Sequence, residues 1–138
     1  RGAVLAVRAA PARHRGRDQP KADQGDALVG LQADSGMWRT LLDDPHSYEE
    51  TSATAGIAYG LLKAVRLGIG GPGWREAGLR GIDAVLGAID PAGVVQGVSY
   101  GTRMGHDLQH YRDIPIQPTG YGQSLAILAL VEARQHRA

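Results

Sequence analysis

The chain has 138 residues, 43% of them hydrophobic and 21% charged, the make-up of one folded domain with a modest core and not of a disordered tail. Fifteen lysines and arginines against fourteen aspartates and glutamates leave a net charge of +1, so no overall basic field points to nucleic acid or to an anionic membrane. The absence of cysteine excludes disulfide frameworks, thiolate zinc sites and cysteine nucleophiles, and no apolar run approaches the roughly 20 residues of a membrane span.

Residues 1–21 carry Arg1, Arg8, Arg13, Arg15 and Arg17 with no acid before Asp18. An Arg-rich, acid-poor opening fits a nucleic-acid arm or a mitochondrial-type presequence. It lacks aromatic residues for base stacking, and Pro11 and Pro20 break any helix, so 1–21 reads as a disordered or atypical terminal segment and 22–138 as the domain. The first residue is Arg1 and not Met, and the chain is expected to be a piece of something longer.

From Ala22 to Gln32 the spacing predicts a helix with Ala27, Leu28 and Leu31 on one stripe and Asp23 and Asp26 opposite. A loop from Ala33 to Glu50 follows, extended around Trp38–Leu42. A second helix is predicted from Thr51–Ser52, where a hydroxyl caps the first amides, to about Leu67, where Gly68, Gly70, Gly71 and Pro72 stop it. A third runs from Trp74 to Ile89, with Ala77, Ile82, Val85, Leu86 and Ile89 inward and Arg75, Glu76, Arg80 and Asp83 outward. Asp90-Pro91-Ala92-Gly93 is a turn signal, Val94, Val95 and Val98 predict a short strand, Ser99 to Thr119 a long loop, and Tyr121 to Gln135 a fourth helix.

The second and fourth helices are small and apolar nearly all round, which predicts burial on every side; the first and third are amphipathic. The order is therefore outer, loop, inner, outer, loop, inner. Gln32–Trp38 and Ile89–Val95 also echo each other, each placing an Asp and then a Gly just after an outer helix. Two copies of a helical hairpin predict an all-α toroid, and a closed ring needs more than two such units.

The densest chemistry lies between Ser35 and Ala55, where an indole, a phenol, four carboxylates and several hydroxyls crowd the mouth of a buried helix. Indole faces stack on sugar C–H faces and carboxylates accept from sugar hydroxyls, so the stretch reads as a carbohydrate cleft, and paired carboxylates divide acid and base work on a glycosidic bond. Plainer roles fit the same residues: Trp38 as a core plug, Asp43-Asp44-Pro45 as a turn, Glu49 and Glu50 as a cap. His106 and His110 would sit one turn apart on a helix, but the segment reads as loop and no third ligand is evident, so no metal is expected. His46 beside Asp43 and Asp44 reads as a solvated pair.

The run Ser35-Gly36-Met37-Trp38, Leu42-Asp43-Asp44-Pro45, Ser47-Tyr48-Glu49-Glu50-Thr51-Ser52-Ala53-Thr54-Ala55, Tyr59-Gly60-Leu61 and Lys63-Ala64-Val65-Arg66-Leu67-Gly68 resembles the unsaturated rhamnogalacturonyl hydrolases of glycosyl hydrolase family 105 and their relatives, the unsaturated glucuronyl hydrolases of family 88. Val98-Ser99-Tyr100-Gly101-Thr102, Tyr111 and Gly120-Tyr121-Gly122 are similar to that family's closing loop and final inner helix. The resemblance covers about residues 25 to 134, and residues 1–24 fall outside it.

The resemblance implies a six-hairpin α/α barrel, of which this chain is the C-terminal part, about two hairpins of an (α/α)6 barrel. The implied reaction hydrates the double bond of a 4,5-unsaturated uronic acid at the end of a pectin-derived oligosaccharide, an aspartic acid serving as proton donor and helping to activate water. Those aspartates lie upstream of the matched region, so no catalytic role transfers to any residue here. Cleft lining transfers: Trp38, Glu50, Ser52 and Thr54 at the mouth of one inner helix, and Gly101, Thr102 and Tyr111 on the closing loop. The expected setting is cytoplasmic, without cofactor or metal. The expected partner is an unsaturated uronic-acid oligosaccharide, not nucleic acid or a membrane. The apolar inner helices should drive union with the missing N-terminal half of the barrel or self-association.

Overall fold

The computed structural model describes residues 24–136, and these form five helices and no strand. Residues 24–30 (α1) are helical; α2 spans Thr51–Arg66, α3 Trp74–Gly87, α4 Leu108–Arg112 and α5 Gly120–Ala133. The segment 1–21, read from sequence as atypical, lies outside the described residues. No described helix is long and apolar enough to cross a membrane.

Each long helix buries one stripe. On α2 the buried set is Thr51, Ser52, Thr54, Ala55, Ala58, Leu61 and Leu62, and on α3 it is Trp74, Ala77, Gly78, Gly81, Ile82 and Val85. The two helices approach closely because α3 offers glycine where they meet. A Cβ on Gly81 would stand 2.9 Å from the Trp38 ring and 3.1 Å from the Ala58 Cβ, and one on Gly78 would stand 2.7 Å from Leu62. The other flank of α2 packs against α5, and Ala55, Ala58 and Leu62 share one core cluster with Ile82, Val85, Val95, Val98, Ala126, Ala129 and Ala133. α1 lies over α3, where Gly25 admits the Trp74 ring and Asp26 accepts from the Trp74 indole N–H at 2.6 Å. The architecture is a segment of a helical barrel, α2 and α5 inner, α1 and α3 outer.

Several expectations need correction. The valines after the Asp90 turn make no strand: the pairing consists of single antiparallel bridges, Ile89 with Val95 and Ser99 with Ile116. The loop from Ser99 to Thr119 contains α4, begun by the Asp107 side chain, which accepts from His110 N. α2 is capped by the Glu50 carboxylate in place of a hydroxyl. Leu86 is 43% exposed, being one residue, some 100° of helix, beyond the stripe that ends at Val85. Asp26 turns toward Trp74 and Ala27 outward, so the buried side of α1 is rotated from the predicted one. α5 is apolar all round but buried on only half its circumference, since the described residues supply neighbours on one side.

Candidate functional site

The two hairpins repeat the same local device. Ala33 N donates to Met37 O at 2.9 Å and Gly36 N to Ala33 O at 2.9 Å; Asp90 N donates to Val94 O at 3.0 Å and Gly93 N to Asp90 O at 2.9 Å. Gly36 and Gly93 close these turns at φ 86° and 83°, in the left-handed region that glycine enters freely. The residue after each turn is then held by the inner helix that follows. Trp38 N donates to Thr54 Oγ1 at 2.9 Å, and Val95 N to Gln123 Oε1 at 3.1 Å. Thr54 and Gln123 each stand four residues beyond their helix cap, Glu50 or Thr119.

A cavity of about 500 Å³ opens at the N-terminus of α2, lined by Thr40, Glu50, Ser52, Gly56, Ser99, Gly101, Thr102 and Tyr121 among others. Glu50 organises it. Only 3% exposed, its carboxylate caps Ala53 N, accepts from Ser52 Oγ at 2.8 and 2.9 Å, and accepts from Ser99 N at 2.8 Å. Three donors satisfy a carboxylate that burial would otherwise penalise. They also join the start of α2 to the turn at 97–101, where Thr51 N donates to Gly97 O at 2.9 Å. Ser99 is held again from outside, its Oγ 2.8 Å from the Tyr48 hydroxyl and its carbonyl accepting from the Tyr121 hydroxyl. That hydroxyl in turn accepts from Gly101 N at 3.2 Å.

Of the seven residues marked from sequence, the structure brings four together on this cavity: Glu50, Ser52, Gly101 and Thr102. The other three stand elsewhere. Trp38 is 0% exposed in the core, its indole N–H donating to Leu28 O at 2.7 Å. Thr54 is fully buried beneath the cavity and donates to Glu50 O at 2.8 Å. Tyr111 lies on α4, where its hydroxyl accepts from Gly105 N at 3.1 Å. Sequence reasoning passed over Ser99 and Tyr121 as site residues. The signal for Tyr121 was its place between two glycines at the start of an inner helix, the position at which α2 carries Ser52.

Outside the cavity lining, Arg112 Nε stands 2.7 Å from Asp44 Oδ2 and ties the loop before α2 to α4. The Arg112 hydrogen bond, helped by the His46 backbone N–H, holds the Asp44 carboxyl below its ordinary range. At the far end of α2, Arg66 Nε meets Glu132 Oε1 at 2.6 Å, and that bond depresses the Glu132 carboxyl in the same way. The Asp90 carboxyl is lowered by the Val94 backbone N–H and the Gln96 amide. Among the described residues no group of three His, Asp or Glu converges as a metal site. His106 precedes α4, and the His110 ring nitrogen lies 3.1 Å from Arg103 O.

This arrangement of inner and outer helices, with a polar cavity where an inner helix begins, is that of the α/α-barrel glycoside hydrolases. The family model of Glycosyl Hydrolase Family 88 matches residues 4–136, and the chain belongs to that family. The match begins at residue 4, so the kinship reaches beyond the 25–134 read from sequence. The chain is 39% identical over 111 residues to the unsaturated rhamnogalacturonyl hydrolase YesR of Bacillus subtilis (strain 168), covering 80% of this chain and 30% of that one. Its fold matches the crystal structure of a possible member of the GH105 family from Salmonella enterica subsp. enterica serovar Paratyphi A. The TM-score is 0.86 at 44% identity, over 93% of this chain and 34% of that one. A possible GH105 member from Klebsiella pneumoniae subsp. pneumoniae matches at TM-score 0.87 and 43% identity, over 94% and 35%. The chain spans about a third of the length of these relatives.

Proposed function

We propose that this chain forms the C-terminal third of a glycoside hydrolase that releases a 4,5-unsaturated uronic acid from pectin-derived oligosaccharides. The observation that carries this reading is the cavity built around Glu50, in a family 88 chain whose relative YesR is an unsaturated rhamnogalacturonyl hydrolase. In the proposed reaction a proton adds to C4 of the double bond and a water oxygen to C5. The resulting hemiketal opens to a ketone and the sugar leaves with a proton. Acid and base for these steps belong to the remaining two-thirds of the barrel. Within the cavity of this chain the lining carboxylate is Glu50, and its oxygens are already engaged by Ser52, Ala53 and Ser99.

The chain's own part is to bind and orient. The half-exposed Tyr121 ring offers an apolar face to sugar C–H groups, while Thr40 and Thr102 offer hydroxyls to the sugar's own. Glu50 acts behind them as a positioning residue, fixing Ser52 and the 99–101 turn. The test is a chimera joining the N-terminal two-thirds of the Bacillus subtilis relative to this chain. Loss of the double bond's ultraviolet absorbance in an unsaturated rhamnogalacturonyl disaccharide is the expected result. A folded chimera that leaves the disaccharide intact overturns the reading.

A further inference from the structure

The Glu50 cavity does not end at the closing loop. At Gly101 the backbone is bare and faces open space, since nothing stands within 4 Å of a Cβ built there. A second cavity, of about 660 Å³, shares Gly101, Thr102 and Tyr121 with the first and continues to Tyr100 and Arg103. A third, of about 450 Å³, carries Tyr100 and Arg103 on toward α4, where His110 and Asp113 line it. Through these shared residues the three form one trough, running from the mouth of α2 across the closing loop.

The wall of this extension is anchored by its backbone. Tyr100 N donates to Pro115 O at 2.7 Å, and the Tyr100 ring is left 61% exposed. The Arg103 carbonyl lies 3.1 Å from a His110 ring nitrogen, which ties the loop to α4. The guanidinium is left over. Arg39, Arg66 and Arg112 meet Glu49, Glu132 and Asp44, whereas that of Arg103 meets no partner among the described residues. Among those residues no aspartate or glutamate lines the 660 Å³ cavity, and the start of α5, capped by the neutral Thr119, adds its positive end there. Asp113, in the smaller cavity, already accepts from Gln109 Nε2 at 2.8 Å. A guanidinium without a counter-ion, beside an open phenol ring, suits a sugar that carries a carboxylate: the fork takes both carboxylate oxygens and the ring takes the C–H face.

We propose that this extension binds a second carboxylate-bearing sugar of the same oligosaccharide, Arg103 pairing with its carboxylate and Tyr100 stacking on its ring. The inference rests on the reaction proposed above. There the unsaturated uronic acid is the terminal sugar, so every further sugar lies on the leaving side of the bond that is cut. Arg103 and Tyr100 therefore determine specificity for the leaving portion and take no part in the chemistry.

The test uses the chimera described above, in which the barrel is complete. Its substrates are the unsaturated rhamnogalacturonyl disaccharide, the tetrasaccharide that carries a second galacturonate, and that tetrasaccharide methyl-esterified at the second galacturonate. By kcat/KM the acidic tetrasaccharide should be preferred to the disaccharide about tenfold. Arg103→Gln or the ester should each remove that preference, with no further loss when combined, and Arg103→Lys should restore part of it. Arg103 is exposed, so the variants should keep the helical circular dichroism of the parent chimera. Tyr100→Ala should weaken both tetrasaccharides alike. Equal values for disaccharide and tetrasaccharide, or a preference that survives either Arg103→Gln or esterification, overturn the proposal. So does an Arg103→Gln loss of the same size on the disaccharide, which assigns the guanidinium to the terminal uronic acid. A chimera that leaves the disaccharide intact overturns the reaction and not this site, and the same ratios are then read from calorimetric Kd values.

Discussion

Glu50 shows how one residue serves fold and site together. Its carboxylate begins α2, anchors Ser52 and reaches 49 residues along the chain to Ser99 N. Glu50→Ala removes the cap and leaves the Ser99 amide without its acceptor, a loss of about 2 kcal/mol. Urea unfolding measures it, and a change below about 0.5 kcal/mol would reduce the carboxylate to a bystander. Protons act on the same kind of contact. Asp44, Asp90 and Glu132 all have carboxyls held below their ordinary range by Arg112, the Val94 amide and Arg66, respectively. A group whose folded value is depressed contributes stability above its unfolded value, near 4, and loses it as pH falls through the folded one. The urea midpoint should hold from neutrality down to about pH 5 and drop below that. Glu132→Gln should flatten part of the drop; an unchanged profile would remove the Arg66 pair from the account.

At the scale of the element, glycine sets the spacing between α2 and α3. Gly81→Ala places a methyl 2.9 Å from the Trp38 ring and should cost about 1–3 kcal/mol through overpacking. The same change at Gly87, with nothing within 4 Å, should add up to about 1 kcal/mol of helix propensity. Thermal melts of the two variants should move in opposite directions; parallel shifts would contradict the packing described. This is also where the sequence is most and least legible. Helix bounds came within two residues for α2, α3 and α5, because apolar periodicity and the Gly-Pro run after Leu67 are local signals. The inner and outer assignment followed from the same periodicity. Depth did not. Trp38 is enclosed because Gly81 and Leu28 close over it, and α5 is half exposed because helices pack on one flank only, neither of which is written near those residues. The cavity was half legible: the run from Glu50 to Thr54 marked its floor, whereas Tyr121 enters only when α5 folds back beside the 99–101 turn. Val94, Val95 and Val98 resemble a strand in composition, but the Asp90 turn and the Gly97 bend leave room for single bridges alone.

For the whole molecule, the reading to be tested is the one proposed above, that this chain supplies one wall of a barrel whose chemistry resides in the other two-thirds. The chain and a separately produced N-terminal two-thirds of the Bacillus subtilis relative should be mixed, and mass and hydration of the unsaturated rhamnogalacturonyl disaccharide followed together. The account predicts a defined one-to-one complex and activity that appears only in the mixture. A chain that ignores the N-terminal portion, or a one-to-one complex that forms and leaves the sugar unchanged, would contradict it.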